Sequence, residues 1–358
     1  MTTKIVFTGG GTAGHVTPNM ALIEAFQSQN WKIDYIGSND GVEKRMITAI
    51  NIPYHAVRCG KLRRYFSWKN FYDPINMIVG IMQASWLLWR LKPTIVFSKG
   101  GFVAFPVVVG AWLNRIPVIA HESDMSPGLA NRLSFPFVDK ICVNFEEAKR
   151  HFKDKSKIAV TGTPIRQALF KGDKASGLAL CGFSNEKPCL LIIGGSQGAT
   201  SINNTIRQAL PTLTQKYQVI HLCGKGNVDS SLVNQPGYVQ FEYANEELPD
   251  LFAASDVVIS RAGANSLCEI LALEKPHLLV PLSRKASRGD QIQNARYFER
   301  QGISQVIEEE LLTQDTLLSN LEQIEERYDE IVKRIASLNI QSATAIVEDI
   351  IVQSCRNK

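Results

Sequence analysis

Several familiar signatures are missing from this chain of 358 residues. It has no Asp-x-Asp, so the usual carboxylate pair for a metal-bound nucleotide sugar is absent. It has no G-x-x-x-x-G-K-[ST], which excludes a P-loop enzyme. The 7 cysteines (Cys59, Cys142, Cys181, Cys189, Cys223, Cys268 and Cys355) are odd in number and never spaced C-x-x-C. That usage reads as a reduced, intracellular protein without a zinc site. The 6 histidines show no pair at metal-ligand spacing, so no metal is expected. No apolar stretch reaches the roughly 20 residues of a membrane-spanning helix. Met1 runs almost directly into a first strand pattern, which leaves no room for a signal peptide. There is no low-complexity tract and no short repeat.

What remains is ordinary for a soluble globular protein. The apolar fraction is 45% and the charged fraction 20%, enough for a full core in each of two domains. The formal charge of +5 alone favours neither nucleic acid nor membrane.

Two glycine-rich turns punctuate the chain. Lys4–Thr8 is a short apolar run followed by Gly9-Gly10-Gly11-Thr12-Ala13-Gly14-His15. Leu190–Ile193 is followed by Gly194-Gly195-Ser196-Gln197-Gly198. Each is strand, glycines, then helix-forming sequence. Glycine lets the backbone turn sharply and lets a phosphate approach main-chain N–H groups. Further strands are expected at Lys32–Ile36, Ile95–Ser98, Val118–His121, Lys140–Val143 and Ile158–Thr161, with helices such as Pro18–Gln29 and Pro74–Leu91 between them. After Pro188 the alternation restarts, with strands near Leu190–Ile193, Gln218–Cys223, Val239–Phe241, Val257–Ser260, His277–Val280 and Gln305–Ile307. This order predicts two doubly wound α/β domains with parallel sheets. The expected boundaries are residues 1–163 and 164–338, with a final helix at about 339–358 returning to the first domain. Twin domains of this kind suit a two-substrate transferase.

The first loop satisfies Gly9-x-Gly11-x-x-Gly14, with Asp34 about 20 residues further on, as in a dinucleotide site. Asp34, however, lies inside its strand pattern rather than at its end. His15 opens the following helix. It either accepts a proton from a substrate hydroxyl, as imidazole can near neutral pH, or merely hydrogen-bonds the loop. The second loop, with the Ser196 hydroxyl, suits an anion at a helix N-terminus. Arg166 after the boundary is either a diphosphate clamp or a surface arginine. Ser266-x-x-Glu269 is either a capping box or places Glu269 to accept ribose hydroxyls. The polar run Arg288–Asn294 is either a solvated loop or part of a carboxyl-end crevice.

One patch stands apart. Lys61, Arg63, Arg64 and Lys69 interleave with Tyr65, Phe66, Trp68, Phe71 and Tyr72. Asp73-Pro74 then starts a helix that is apolar almost all round, with Asn76, Gly80, Gln83 and Arg90 as its polar stripe. Part of it must pack on the sheet, yet it holds more apolar surface than one face needs. Aromatics beside lysine and arginine suit an anionic membrane surface. The candidate contacts are Arg63, Arg64, Ile75, Ile78, Met82, Trp86 and Trp112. No second basic cluster of that kind occurs, so nucleic acid is not an expected partner.

In this order and spacing the motifs resemble the MurG family of bacterial N-acetylglucosaminyltransferases. They are Gly9–Val16, Ser98-Lys99-Gly100-Gly101-Phe102, His121–Asn131, Gly162–Arg166, Gly194–Gly198, Ser260–Gly263, Glu269 and Asp290-Gln291. The resemblance spans essentially the whole chain. It implies a GT-B fold, two Rossmann-like doubly wound domains facing across a cleft. It implies inverting transfer of N-acetylglucosamine from UDP-N-acetylglucosamine to the muramyl C4 hydroxyl of lipid I, giving lipid II without a cofactor. By matching positions it assigns Arg166, Ser196, Ala244, Ala264, Asn265, Glu269 and Gln291 to the UDP part, and Thr12, Ala13 and Gly14 to the sugar. It makes His15 the first candidate base and Asp124, near the donor sugar, the second catalytic candidate. Gly10, Gly11, Lys99, Gly100 and Gly101 would meet the lipid diphosphate. It also implies a peripheral enzyme on the cytoplasmic face of the bacterial plasma membrane, with a cell-wall synthesis complex as a further partner. Other readings are a different GT-B glycolipid transferase, a UDP-N-acetylglucosamine epimerase, a nicotinamide oxidoreductase and a non-catalytic nucleotide-sugar binder.

Overall fold

The computed structural model describes residues 3–60, 69–195, 197–338, 340 and 343–356. The chain divides into two compact units, Met1–Arg166 with Ser342–Lys358, and Gln167–Gln341. The division falls a few residues beyond the expected boundary, and Arg166 is the last residue of the first stretch.

The first unit holds a parallel sheet of β1 (Lys4–Thr8), β2 (Lys32–Ser38), β3 (Tyr54–Val57), β4 (Ile95–Ser98), β5 (Val118–Glu122), β6 (Lys140–Val143) and β7 (Ile158–Val160). Their order across the sheet is β3-β2-β1-β4-β5-β6-β7. The crossovers carry α1 (Thr17–Ser28), α2 (Val42–Ala49), α3 (Lys69–Leu91), α4 (Ala104–Leu113) and α5 (Leu129–Ser134). In the second unit the order is β10-β9-β8-β11-β12-β13. Its strands are β8 (Cys189–Ile193), β9 (Gln218–Leu222), β10 (Tyr238–Phe241), β11 (Val257–Ser260), β12 (His277–Leu279) and β13 (Gln305–Val306). Its helices are α6 (Lys174–Cys181), α7 (Thr200–Lys216), α8 (Leu248–Ala254), α9 (Ala264–Ala272), α10 (Asp290–Arg300), α11 (Gln314–Glu326) and α12 (Tyr328–Ala336). A last helix, α13 (Ala343–Arg356), belongs to the first unit.

The alternation of a strand explains the two-sided core of the first unit. Ile5 and Phe7 of β1 join Leu22 and Phe26 of α1 and Val347 and Ile351 of α13 on one face. Val6 points the other way, toward Ala84 and Leu88 of α3 and Val107, Val108 and Ala111 of α4. Central strands buried on both faces are expected of a parallel sheet under helices.

Two expectations need correcting. β3 was not expected; it is a four-residue edge strand with only Val57 buried, too short for its alternation to stand out. Pro74 lies inside α3 rather than at its start. So near the helix N-terminus, proline forfeits a single hydrogen bond to the turn before it, which a helix of this length tolerates.

α3 presents its larger apolar side chains outward. Gly80, Ala84 and Leu88, spaced by four, are buried. A side chain at Gly80 would run into the Arg58 carbonyl. Gly110 of α4 sits against Ala84 and the Ser85 amide, and Asn114 Nδ2 donates to Ser85 O at 3.0 Å and Ser85 Oγ at 2.9 Å. Small residues thus face the neighbouring helix. Ile75, Ile78, Met82, Trp86 and Trp89 are left between 55% and 64% exposed.

Candidate functional site

Each sheet reverses its strand order at one place, between β1 and β4 and between β8 and β11. Connections from those neighbouring strands leave on opposite faces, which opens a crevice at the carboxyl ends. The glycine loops singled out in the sequence lie there: Gly9–Gly14 and Lys99–Gly101 in the first unit, Gly194–Gly198 and Arg261–Gly263 in the second.

In the first unit the start of the loop is tethered from below. Asn19 Nδ2 donates to Thr8 O at 3.2 Å and to the Tyr35 hydroxyl at 3.0 Å, and Tyr35 in turn donates to Gly9 O at 2.7 Å. The Gly11 N–H is held by Glu43 Oε2 at 3.1 Å. Thr12 is exposed, and Ala13–His15 form a single 3-10 turn, with His15 N donating to Thr12 O at 3.1 Å. The loop after β4 closes on this turn. A Cβ at Gly101 would lie 2.5 Å from Gly10 O and 3.1 Å from His15 Cδ2. Only glycine permits that approach, and the φ of Gly101 is +82°.

The loop carrying Asp124 is joined to the same place through Glu122. Its carboxylate accepts from Asp124 N at 3.0 Å, Gly128 N at 3.2 Å and Asn131 Nδ2 at 2.8 Å. Asn131 Oδ1 accepts from Gly101 N at 3.2 Å. Within the first unit, Gly10, Gly11, Thr12, His15, Gly100, Gly101 and the loop of Asp124 therefore form one rim, joined by hydrogen bonds through Asn131 and Glu122 and by the close approach of Gly101 to Gly10 and His15. Lys99 sits beneath it, 1% exposed, with Nζ donating to Ser123 Oγ. Its charge supports the rim from below rather than lining its surface. Burial and the nearby Lys99 hold the His121 imidazole well below its ordinary pKa, while His121 Nε2 lies 2.8 Å from Gly162 O.

Asp34 does not face this rim. It is buried within β2, 2.9 Å from Lys4 Nζ and 2.7 Å from His55 Nε2. Burial alone would raise its pKa, but the bonds from His55 and Lys4 outweigh it and hold the carboxyl below its usual range. An acid bonded to Lys4 and His55 inside a strand is not placed to bind a ribose, which removes the structural support for a nicotinamide site here.

In the second unit, Gly198 is pinned against the Cys223 carbonyl, where a side chain has no room. Asn203 of α7 donates to the same carbonyl at 2.9 Å and lies 3.0 Å from His221 Nε2. Ser196 lies outside the described residues. Arg261 is a strut: it donates to Val280 O at 3.1 Å, to Ser201 Oγ at 3.3 Å and to Glu309. Glu309 also accepts from Ser201 Oγ and Ser283 N. Burial would raise the Glu309 pKa, but these donors hold it low. α9 begins at Ala264 with Gly263 as its cap, and no side chain caps it. The capping-box reading of Ser266 and Glu269 is therefore wrong. Ser266 already lies within the first turn, and Glu269 is a half-buried residue further into α9.

From Asp290 onward the polar run at 288–294 is the start of α10, with Arg288 exposed before it and Gly289 as the cap. Gln291 Oε1 accepts from Leu282 N at 3.0 Å, and Asn294 Nδ2 donates to Ala262 O at 3.2 Å. Gln291 thereby stands beside Gly263, at the head of α9 with Ala264 and Asn265. Ala244 is half-buried in the loop after β10. Arg166 ends the first stretch of the first unit. The residue before it is clamped by α13, with Ile165 N donating to Thr344 Oγ1 at 3.0 Å. Arg166 Nε is buried and has no hydrogen-bond partner among the described residues.

Of the membrane candidates, Arg63 and Arg64 lie outside the described residues. Trp112, 53% exposed, packs its ring edge-on against Phe137 with centroids 5.3 Å apart. The Arg90 guanidinium lies 5.6 Å from the Trp86 ring centroid. Among the described residues, no helix is long and apolar enough to cross a membrane. Sequence reasoning missed Glu43, Asn203 and Glu309, which organise the loops from positions without a motif.

Residues 5–143 match the glycosyltransferase family 28 N-terminal domain, and residues 189–350 match the glycosyltransferase family 28 C-terminal domain. A curated relative from Legionella pneumophila (strain Lens) is 65% identical over 344 residues, 96% of this chain and 95% of its own. Its name is UDP-N-acetylglucosamine--N-acetylmuramyl-(pentapeptide) pyrophosphoryl-undecaprenol N-acetylglucosamine transferase. The crystal structure of Acinetobacter baumannii MurG superposes with a TM-score of 0.75 at 22% identity, covering 98% of this chain and 99% of that one. The UDP-GlcNAc 2-epimerase of Neisseria meningitidis, bound to UDP-GlcNAc, superposes at 0.68 with 15% identity, covering 98% and 100%. The fold is thus shared between transferases and epimerases.

Proposed function

The chain belongs to glycosyltransferase family 28, and from that membership we propose that it transfers N-acetylglucosamine from UDP-N-acetylglucosamine to undecaprenyl-diphospho-N-acetylmuramyl-pentapeptide, the lipid I to lipid II step of peptidoglycan synthesis. The observation that carries this reading is the 65% identity to a curated transferase across 96% of the chain. The geometry supports particular roles. UDP takes the switch point of the second unit. There the N-terminus of α7 and the head of α9 with Ala264 and Asn265 offer backbone amides to the diphosphate, and Ser196 is assigned to it by its motif alone. Glu269 accepts ribose hydroxyls, Gln291 and Ala244 border the nucleoside, and Arg166 supplies a cation to the charge that grows as UDP leaves.

The acceptor takes the rim of the first unit. Thr12, Ala13 and Gly14 lie toward the sugar, and Gly10, Gly11, Gly100 and Gly101 toward the lipid diphosphate. Lys99 contributes field from beneath. His15 withdraws the proton of the muramyl C4 hydroxyl as it attacks the anomeric carbon, and the α-linked donor yields a β linkage. Asp124 borders the donor sugar, where its carboxylate accepts a hydroxyl hydrogen bond.

The outward face of α3, Ile75, Ile78, Met82 and Trp86, with Trp112 on α4, the helix packed against α3, rests on the cytoplasmic leaflet where a lipid-linked acceptor resides. Arg63 and Arg64 add attraction to anionic headgroups. A UDP-release assay tests the reaction class. Release that requires a short-chain lipid I analogue supports transfer. Consumption of UDP-N-acetylglucosamine at the same rate without acceptor identifies an epimerase or hydrolase instead.

A further inference from the structure

Glu43 stands in the first turn of α2, fully buried. Among the described residues its carboxylate has only uncharged partners. Oε2 accepts from Gly11 N at 3.1 Å, and Oε1 accepts from Ser38 N at 3.2 Å and from the Ser38 hydroxyl. Glycines line the space around it. A Cβ at Gly10 would lie 2.6 Å from Oε2, one at Gly37 would lie 3.1 Å from Cγ, and one at Gly41 would overlap the carboxyl itself. Burial, and then the Glu43 charge, push the Tyr54 hydroxyl up and raise the Cys59 thiol to about 12. The arrangement is that of an anion seated in a glycine loop at a helix N-terminus, except that the anion belongs to the protein.

In a dinucleotide fold such loop N–H groups go to a phosphate. Here the Gly11 N–H is already taken. We propose that Glu43 is a positioning residue: its carboxylate is the built-in anion of the first glycine loop, which bars a nucleotide phosphate from that loop and fixes the turn Thr12–His15 for the acceptor. A lipid diphosphate then meets the outer side of the loop and the Gly100–Gly101 rim, not the Gly11 N–H. The kinetic part of this inference rests on the glycosyl-transfer reading; the loop geometry does not.

The test uses the full chain with Glu43→Ala and Glu43→Gln. Amide hydrogen exchange at Gly11–His15 reads the loop directly, without any reaction. Exchange there is expected to quicken in Glu43→Ala and to slow again when formate fills the vacated space. In transfer assays with UDP-N-acetylglucosamine and a short-chain lipid I analogue, Glu43→Ala should lower kcat/KM for the acceptor by about tenfold or more, as for loss of a charge-assisted bond to a backbone N–H. Formate should restore part of it, while calorimetric UDP affinity stays within about twofold. Glu43→Gln keeps one acceptor oxygen and should lose less; it also carries the test if the alanine variant fails to fold. Unchanged exchange at Gly11 in folded variants overturns the inference. So does a parallel fall in acceptor kinetics and UDP affinity that formate does not reverse, the mark of general damage. A wild-type chain that turns over no lipid I analogue refutes the glycosyl-transfer reading instead, and the exchange experiment still decides the role of Glu43.

Discussion

Gly101→Ala separates backbone strain from the geometry of the acceptor rim. Gly101 has φ of +82°, where a side chain costs about 1–2 kcal/mol on its own. It also faces a neighbour. The new Cβ would lie 2.5 Å from Gly10 O and 3.1 Å from His15 Cδ2, inside the 3.4 Å at which ordinary contact begins. Relief requires the two loops to part by roughly an ångström, and a displacement of that size at a reacting group costs on the order of 10² in rate. Gly182 supplies the matched control. Its φ is +64°, and an added Cβ meets nothing within 4 Å. Gly182→Ala should lose about 1–2 kcal/mol in urea unfolding, and Gly101→Ala at least as much. Only Gly101→Ala should also lose about 10² in kcat. Wild-type kcat in a folded Gly101→Ala would show that the approach of Gly101 to His15 has no bearing on catalysis.

Other outcomes follow from the same geometry. His15→Ala should lower kcat by roughly 10²–10⁴ with UDP affinity retained. Arg166→Ala should weaken calorimetric UDP binding by about 1–3 kcal/mol, and the opposite pattern in either variant would reverse the two assignments. Burial lowers His221 to about 3 and His277 to about 4, so both are neutral in the folded second unit. The unfolded chain binds more protons below its ordinary histidine pKa of about 6.5, so stability is full above that value and falls as pH drops toward the folded values. Urea midpoints should be lower at about pH 5 than at about pH 7, and equal midpoints would contradict this. Trp86→Glu with Trp89→Glu should reduce flotation with anionic vesicles, and charge reversal at Arg63 and Arg64 should remove about 1 kcal/mol per cation. Unaltered flotation in all of these would exclude the α3 face as the contact.

The strands were readable because central ones such as Ile5–Phe7 and Val257–Ile259 are continuous apolar runs with glycines a few residues beyond. Tyr54–Val57 escaped notice because an edge strand of four residues buries little and leaves no alternation. The inner and outer faces of α3 were ambiguous for the opposite reason. With apolar residues almost all round, hydrophobicity marks no face, and it is the small Gly80 and Ala84 that decide which side approaches α4. The loops were legible as glycines and the site residues as motifs. Their supports were not. Glu43, Asn203 and Glu309 bond to residues far away in sequence, and a carboxylate on a polar helix looks solvated until the fold turns it inward. Ser266 and Glu269 misled because a capping box was a sufficient local explanation, whereas α9 starts two residues earlier, at Ala264, with Gly263 as its cap.

The most direct measurement follows the sugar. With radiolabelled UDP-N-acetylglucosamine and a short-chain lipid I analogue, label should move into the lipid fraction, and NMR of the product should show a β linkage to the muramyl C4 hydroxyl. Label that stays in the aqueous phase as free or epimerised sugar, with the acceptor unchanged, would contradict the account.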